Sequence, residues 1–380
     1  GQYVFDQATI KDLEWILELK ELDFSLREIH RLLSLRRISN FADSQDILEL
    51  KEIYEQKRSF CMEEITRKEN IIQTLDEKIK ELDSLKPALK NKTGVPLSML
   101  PLLCCPVCGG PLSMREVDMD QRFIFEGILG CSCGYQAHIH HGIFLTPNKN
   151  KNLQDTPDVN RELYKDLPPE LISMFQRSYN WMLRKIEEKD LHRKVVAETY
   201  INAWFFMHNH LEYLPSDSQY FVIDKYPETL LMYKHLIENQ RPDLDILYLA
   251  DSSTRFPIKP GVIDLHLDFF AVNEHNFYHP TFLYSEIAPF LSPKGELLGT
   301  YFYFEGAPKS MKLLLSQYPE CYEKNFDLSY FHRSLKESGF QLLEEEDCGC
   351  VTDSGNNLGF GFHVKGEKMH LLPYYGRKCT

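Results

Sequence analysis

The fold is decided by residues 195–206, VVAETYINAWFF, together with residues 221–226, FVIDKY. Each stretch opens with a short apolar run, which is the pattern of a strand buried on both faces. From about residue 160 onward such runs alternate with helical patterns, so we expect a largely parallel sheet covered by helices. The turn after the first strand is unusual, because no glycine occurs between Gly142 and Gly261.

Glycine matters at this turn because a nucleotide bound at the end of the first strand needs close backbone approach and a positive φ. In this chain the turn carries Thr199, Tyr200, Ile201, Asn202 and Ala203. A non-glycine residue in the left-handed conformation costs about 1 kcal/mol, which a fold tolerates. Side chains that occupy the volume of a ligand prevent the ligand from binding, because a packed protein interior does not relax to make room for it.

Composition narrows the class of protein. The chain has 380 residues, 43% of them hydrophobic, and contains no apolar run that approaches a membrane span of roughly 20 residues. We therefore expect a soluble protein of two or three domains and no membrane partner. The ten cysteines form no regular framework, and no signal peptide is seen, which favours the reducing cytoplasm. A net charge of −13 argues against non-specific nucleic-acid binding by the whole molecule.

The first 85 residues carry helical patterns, with no glycine after Gly1 until Gly94. Short helices are predicted over 8–22 and 25–35, and the second opens with a capping box in SLRE. A long helix is predicted over 44–85. Its later half carries an apolar seam with seven-residue spacing, which favours a two-chain coiled coil over packing within its own domain. The seam residues are Ile65, Ile72, Leu75, Ile79 and Leu82.

Residues 23–29, DFSLREI, follow a helix whose apolar rows are Leu13, Ile16 and Leu19. This region, with the long heptad helix after it, resembles the second half of a MerR-family DNA-binding domain and its dimerisation helix. The resemblance implies a homodimer that binds promoter DNA through the complete N-terminal domain and acts indirectly on RNA polymerase. It departs from the family at the wing, where Tyr3 replaces an arginine that contacts phosphate. The helix-turn-helix expected before the wing is not in this sequence.

Two cysteine pairs lie between the helical region and the α/β region. Residues 105–110, CPVCGG, form a strong zinc knuckle, because the glycines let backbone amides turn toward the thiolates. The second pair is one residue closer than usual. Four thiolates leave no open position, so the zinc would be structural. The predicted ligands are Cys105, Cys108, Cys131 and Cys133, with Cys104 and His138 as substitutes.

The segment around these cysteines resembles the small zinc ribbon that precedes the catalytic domain in some methyltransferases, including large-subunit rRNA guanine methyltransferases. Three histidines, at positions 138, 140 and 141, lie on its last strand. Alternating histidines on a strand are more often surface residues, and a second metal site is the alternative.

The landmarks of residues 155–380 have the order found in S-adenosylmethionine-dependent methyltransferases, which this region resembles. The resemblance places the acidic end of the first strand at Glu198. It places the carboxylate that holds the ribose hydroxyls at Asp224, and the aspartate that contacts adenine at Asp251. Side chains at the glycine-free turn fall where the cofactor would lie. The implied pocket residues are Glu198, Tyr200, Asn202, Trp204, Asp224 and Asp251.

The sequence thus predicts four parts. They are the second half of a winged-helix DNA-binding domain (1–43), a dimerisation helix (44–90), a β zinc ribbon (100–148) and a Rossmann-like, methyltransferase-type α/β domain (155–380). We interpret the last part as a domain that has lost its cofactor and serves as a small-molecule sensor or a scaffold in a transcriptional regulator. The alternative is an active S-adenosylmethionine-dependent methyltransferase acting on RNA or a small molecule. No motif such as Asn-Pro-Pro-Tyr follows the fourth strand, which favours the sensor.

Overall fold

The computed structural model describes residues 6–39, 44–84, 92–151, 156–162, 165–202, 204–356 and 359–379. The chain divides into two compact units, Gly1–Lys86 and Pro87–Thr380. None of the helices in these described ranges combines the length and the apolar character that a membrane span requires. Tyr3 lies outside the described residues, so its contact with DNA stays a prediction.

The first unit is helical, as its sequence pattern predicts. Its helices are α1 (Gln7–Glu21), α2 (Leu26–Ser39) and α3 (Ser44–Ser84). The capping box forms at the start of α2, where the Ser25 N–H donates to the Glu28 carboxylate at 2.7 Å and the return bond to Ser25 Oγ is 3.4 Å. A small apolar core then holds the helices together. Its buried members are Leu19, Phe24, Ile29 and Leu32.

The predicted seam of α3 faces solvent in the single chain. Ile65, Ile72, Leu75 and Ile79 are 52–57% exposed, whereas Leu50 and Ile53, earlier in the same helix, pack against the small core. The side chain of Leu82 lies outside the described residues. Burying an aliphatic side chain contributes roughly 1.5–3 kcal/mol, so a partner helix on this seam would be stabilising.

The second unit is built on one mixed sheet. Its strands are β1 (Val95–Pro96), β2 (Ser113–Met119), β3 (Phe123–Gly130), β4 (Gln136–His140), β5 (Ile143–Leu145), β6 (Val195–Thr199), β7 (Gln219–Asp224), β8 (Asp245–Ala250), β9 (Ile263–Phe269), β10 (Leu291–Glu305), β11 (Phe340–Glu345), β12 (Cys350–Val351) and β13 (Lys368–Lys378). Within the described residues the strand order is β1-β3-β4-β5-β8-β7-β6-β9-β10-β13-β11, with β2 beside β3 and β12 beside β13. The cysteine-rich segment therefore extends the α/β sheet, because β5 pairs in parallel with β8.

Helices cover both faces of this sheet. They are α4 (Pro169–Glu187), α5 (Pro227–Gln240), α6 (Ala271–Asn276), α7 (Leu283–Ile287), α8 (Pro308–Gln317) and α9 (Leu328–Glu337). Successive strand residues enter opposite cores, as the two-residue period of a strand requires. Val196 packs into the core that contains α4 and α5, and Ala197 packs into the core that contains α7 and α9. The predicted helix-covered α/β sheet is confirmed.

The order in which the chain adds parallel strands to the sheet reverses at β6. Along the sheet they run β8-β7-β6-β9-β10, which is the order 3-2-1-4-5 of doubly wound sheets. The chain passes from β6 to β7 and β8 on one side, then crosses to β9 on the other. In such sheets the carboxyl ends of the strands at this switch point open a crevice for ligands.

We expect the chain to be a dimer that buries the α3 seam. Ile72→Lys should weaken the dimer roughly 100-fold, because a charged side chain on a buried seam loses its hydration without a partner. Phe60→Lys is the matched control, since Phe60 is 53% exposed on the same helix but lies off the seam. Size-exclusion chromatography with light scattering would measure both. A strictly monomeric parent chain would refute the dimer.

Candidate ligand site and metal centre

The carboxyl ends of β6 and β7 border a cavity of about 420 Å³. This volume lies within the range of small-molecule sites, roughly 300–1,000 Å³. Three of the six predicted pocket residues, Tyr200, Asn202 and Asp224, form part of its wall. A cavity thus remains at the switch point beside the turn that lacks glycine.

Tyr200 takes the backbone conformation that glycine would adopt more easily, with φ at +59°. Its N–H donates to the carbonyl of Ile223 at 2.9 Å, which continues the pairing of β6 with β7. Its hydroxyl lies 2.7 Å from Nδ1 of His275 on α6, and the two rings meet edge to face. The tyrosine is therefore fixed at both ends as a wall of the cavity.

The buried carboxylate of Asp224 holds the same turn. It accepts hydrogen bonds from the backbone N–H of Asn202 at 2.8 Å and of Tyr226 at 3.0 Å. Burial raises the pKa of Asp224 to about 6, and the two amides oppose that rise. The Asn202 side chain adds a bond, since its Oδ1 accepts from Thr229 Oγ1 at 2.9 Å. A ribose bound at Asp224 would compete with these amides.

Glu198 lies on the other side of the turn, fully buried and away from the cavity. Its carboxylate accepts the N–H of Phe206 at 2.6 Å and of Met207 at 2.9 Å, where a 3-10 helix begins. Burial raises the pKa of Glu198 to about 8. In this structure the side chain caps a helix.

Asp251 and Trp204, the other two predicted pocket residues, also lie apart from the cavity wall. Asp251 accepts hydrogen bonds from Thr146 Oγ1 and from the Ser253 N–H, both at 2.6 Å, and so joins the ends of β5 and β8. The Trp204 ring packs 5.5 Å from that of Phe269, centroid to centroid. The structure therefore brings together Tyr200, Asn202 and Asp224 and leaves Glu198, Trp204 and Asp251 elsewhere.

A second cavity of about 150 Å³ lies beside the first. The two cavities share Glu274 and Tyr278 in their walls. Burial raises the pKa of Glu274 to about 7, and the nearby charge of Lys225 opposes that rise. The density of aromatic residues in this region was the available signal, but most aromatic residues in strands are ordinary core. The remaining walls are mainly aromatic: Phe270, Phe277, Phe302, Tyr318, Phe326, Phe360 and Phe362.

The four predicted thiolates come together at the ends of two turns. The Sγ atoms of Cys105 and Cys133 are 3.5 Å apart, those of Cys108 and Cys131 are 3.4 Å apart, and all four lie within 4.8 Å of one another. A tetrahedral ion with Zn–S bonds of about 2.3 Å needs sulfur separations of about 3.8 Å. The cluster fits a tetrahedral metal ion.

The histidines at 140 and 141 form a second, exposed cluster with Glu126. Nδ1 of His140 lies 2.8 Å from Glu126 Oε2, and the His141 N–H donates to Glu126 Oε1 at 2.9 Å. His138 is not part of the cluster. Since the carboxylate already has these partners, we keep the interpretation of surface residues.

No protein-family model and no curated relative matches the chain. Solved structures similar to it include the MccD protein, at 12% identity over 53% of this chain and 96% of that chain, with a TM-score of 0.43. Geranyl diphosphate C-methyltransferase from Streptomyces coelicolor A3(2) is similar at 8% identity over 53% and 76% of the two chains, with a TM-score of 0.43. An arsenic(III) S-adenosylmethionine methyltransferase from Chlamydomonas reinhardtii gives 14% identity, 53% and 73% coverage, and a TM-score of 0.37. Each similarity spans about half of this chain and concerns the fold alone.

We expect metal analysis of the purified chain to find about one zinc ion per chain. Cys108→Ser should lower that ratio to near zero and destabilise the cysteine-rich strands, because structural metal binding is coupled to folding. Cys350→Ser is the matched control, since Cys350 is an exposed thiol outside the cluster. If both Cys105→Ser and Cys108→Ser kept stoichiometric zinc, the ligands would have to be elsewhere.

Proposed function

We propose that the second unit binds a small organic ligand at the switch point, and that the chain is a dimeric, ligand-responsive transcriptional regulator. One observation supports this above all. The crevice is kept as a cavity of about 420 Å³, but the two carboxylates assigned to cofactor binding by resemblance, Glu198 and Asp224, accept hydrogen bonds from the chain's own amides.

Cofactor binding through Asp224 would carry a measurable cost. Hydrogen bonds to a charged group contribute roughly 1.5–3 kcal/mol each, and a buried amide left without a partner costs a similar amount. A ribose that displaced the N–H groups of Asn202 and Tyr226 would therefore bind severalfold or more weakly than one that used only the remaining lone pairs of the carboxylate. A ligand that leaves Asp224 undisturbed incurs no such cost.

The regulatory part of the proposal depends on the first unit. Its helices resemble part of a MerR-family DNA-binding domain, and the exposed seam of α3 favours pairing of two copies. The complete N-terminal domain would bind promoter DNA and act indirectly on RNA polymerase. A small-molecule effector can shift such a protein only if it binds one conformational state more tightly than another.

A second candidate function is S-adenosylmethionine-dependent methyl transfer. The observation that favours it is a hydrogen-bonded tyrosine–histidine pair at the cavity wall. The Tyr200 hydroxyl lies 2.7 Å from His275 Nδ1. Burial lowers the pKa of His275 to about 4, so the imidazole is neutral at pH 7 and its Nδ1 can accept a hydrogen bond from the hydroxyl. The hydroxyl oxygen, oriented in this way, could accept a hydrogen bond from the substrate group that is to be methylated.

Calorimetry with S-adenosylmethionine separates the two candidates. We expect no saturable heat, corresponding to a dissociation constant weaker than about 1 mM, because Asp224 already accepts two backbone amides and the side chains of Tyr200 and Asn202 form part of the crevice wall. Micromolar binding would contradict the sensor and support the methyltransferase. In that case Tyr200→Phe, which keeps the ring but removes the hydroxyl, should leave cofactor binding unchanged and slow methyl transfer.

A further inference from the structure

The smaller cavity is lined by rings from separate parts of the chain. The Phe277 ring has its centroid 5.5 Å from that of Tyr318, 5.6 Å from that of Phe326 and 6.1 Å from that of Phe362. These are ordinary contact distances for aromatic pairs. The rings nevertheless leave about 150 Å³ between them, a volume that in an apolar cavity accepts a benzene-sized group.

The wall of the cavity carries one ionisable carboxylate, that of Glu274, and its other polar side chains are Asn273, Tyr278 and Tyr318. Both ends of the Asn273 amide are used internally. Its Nδ2 donates to the Phe302 carbonyl at 2.9 Å and to Asn325 Oδ1 at 3.1 Å, and its Oδ1 accepts the Phe302 N–H at 2.9 Å. Glu274, in contrast, is half-buried. Among the described residues none donates a hydrogen bond to its carboxylate, but the charge of Lys225 acts on it, and the Lys225 Nζ lies 4.0 Å from the centroid of the Tyr278 ring.

We propose that the aromatic cavity binds a quaternary ammonium group, with Glu274 as its counter-ion. The faces of aromatic rings attract cations that lie within about 6 Å of the ring centroid. An ammonium group that carries N–H donors would need an acceptor for each of them, and this mainly aromatic wall offers few beside Glu274 and the two tyrosine hydroxyls. A quaternary ammonium has no donor to satisfy and, unlike a neutral apolar group, adds a positive charge beside the carboxylate to that of Lys225.

The walls that the two cavities share indicate where the rest of the ligand would lie. Glu274 and Tyr278 line both cavities, so a ligand with its ammonium group among the rings can extend into the larger crevice beside Asn202 and Asp224. The proposal rests on the ligand-binding role proposed above and names the class of its ligand. It requires no displacement of the amides that hold Asp224.

Two probes of the same shape test the proposal. Choline carries a trimethylammonium group, and 3,3-dimethylbutan-1-ol carries the neutral tert-butyl equivalent. Titrated calorimetrically into the full chain, choline should bind saturably and about tenfold more tightly than the alcohol, because only choline gains the cation–π attraction and the ion pair.

Variants of the cavity wall distinguish the contribution of charge to choline binding from the contribution of the aromatic rings. Glu274→Gln should weaken choline binding about tenfold and leave the alcohol unaffected, since it removes the counter-ion and keeps the shape. Tyr318→Leu should weaken choline binding severalfold by removing one ring. The matched control is Tyr213→Leu, because Tyr213 is 36% exposed, close to the 38% of Tyr318, and does not line the cavity.

Absence of saturable choline binding, equal affinity for the two probes, or choline binding that survives Glu274→Gln would each overturn the proposal. A parallel titration with S-adenosylmethionine distinguishes failure of the ammonium site from failure of the proposed function. If neither compound binds, the ammonium site is refuted and the sensor keeps its support with another ligand class. If both bind, the ammonium site stands and the sensor is replaced by the methyltransferase.

Discussion

The second unit depends on two buried carboxylates that hold the turn after β6. Asp224 accepts the N–H groups of Asn202 and Tyr226, and Glu198 accepts those of Phe206 and Met207. Together they fix both ends of a segment that has no glycine to supply conformational freedom. Burial opposes their ionisation and raises both pKa values, while the amides favour the charged forms. The position of this turn sets the width of the crevice.

The strands could be predicted from the sequence because each is a short apolar run, and the capping box and cysteine pairs have distinctive local spacing. Their partners could not be predicted in the same way. An apolar run does not reveal that β5 lies beside β8, since pairing depends on contacts more than 100 residues apart, such as Phe144 with Leu249. For the same reason the sequence predicted one pocket of six residues, whereas three of the six line the cavity in the structure. Asp251 follows a strand end as Asp224 does, but its carboxylate faces Thr146 and Ser253.

The cysteine-rich segment shares the sheet of the α/β region and is hydrogen-bonded to a loop next to the ends of its central strands. The N–H of Cys104 donates to the carbonyl of Pro257, and the N–H of Lys259 donates to the carbonyl of Leu102. Both bonds attach the cysteine knuckle to the loop after β8. A structural metal at the four thiolates would therefore rigidify a loop that begins at Asp251, beside the ends of the central strands. Binding of a metal ion would therefore be coupled to the position of this loop through these contacts.

The two candidate functions differ in where binding energy has to come from. A nucleotide cofactor held at Asp224 would share the carboxylate with the amides that close the turn, and where it replaced them, part of its interaction energy would be spent on opening the protein. A ligand held among aromatic rings gains dispersion and cation–π attraction without breaking any of those bonds. Glu274 and Tyr278 line both the aromatic cavity and the polar crevice. In the described conformation the energetically accessible part of the site is therefore its aromatic side, and this favours a binding role over cofactor-dependent chemistry.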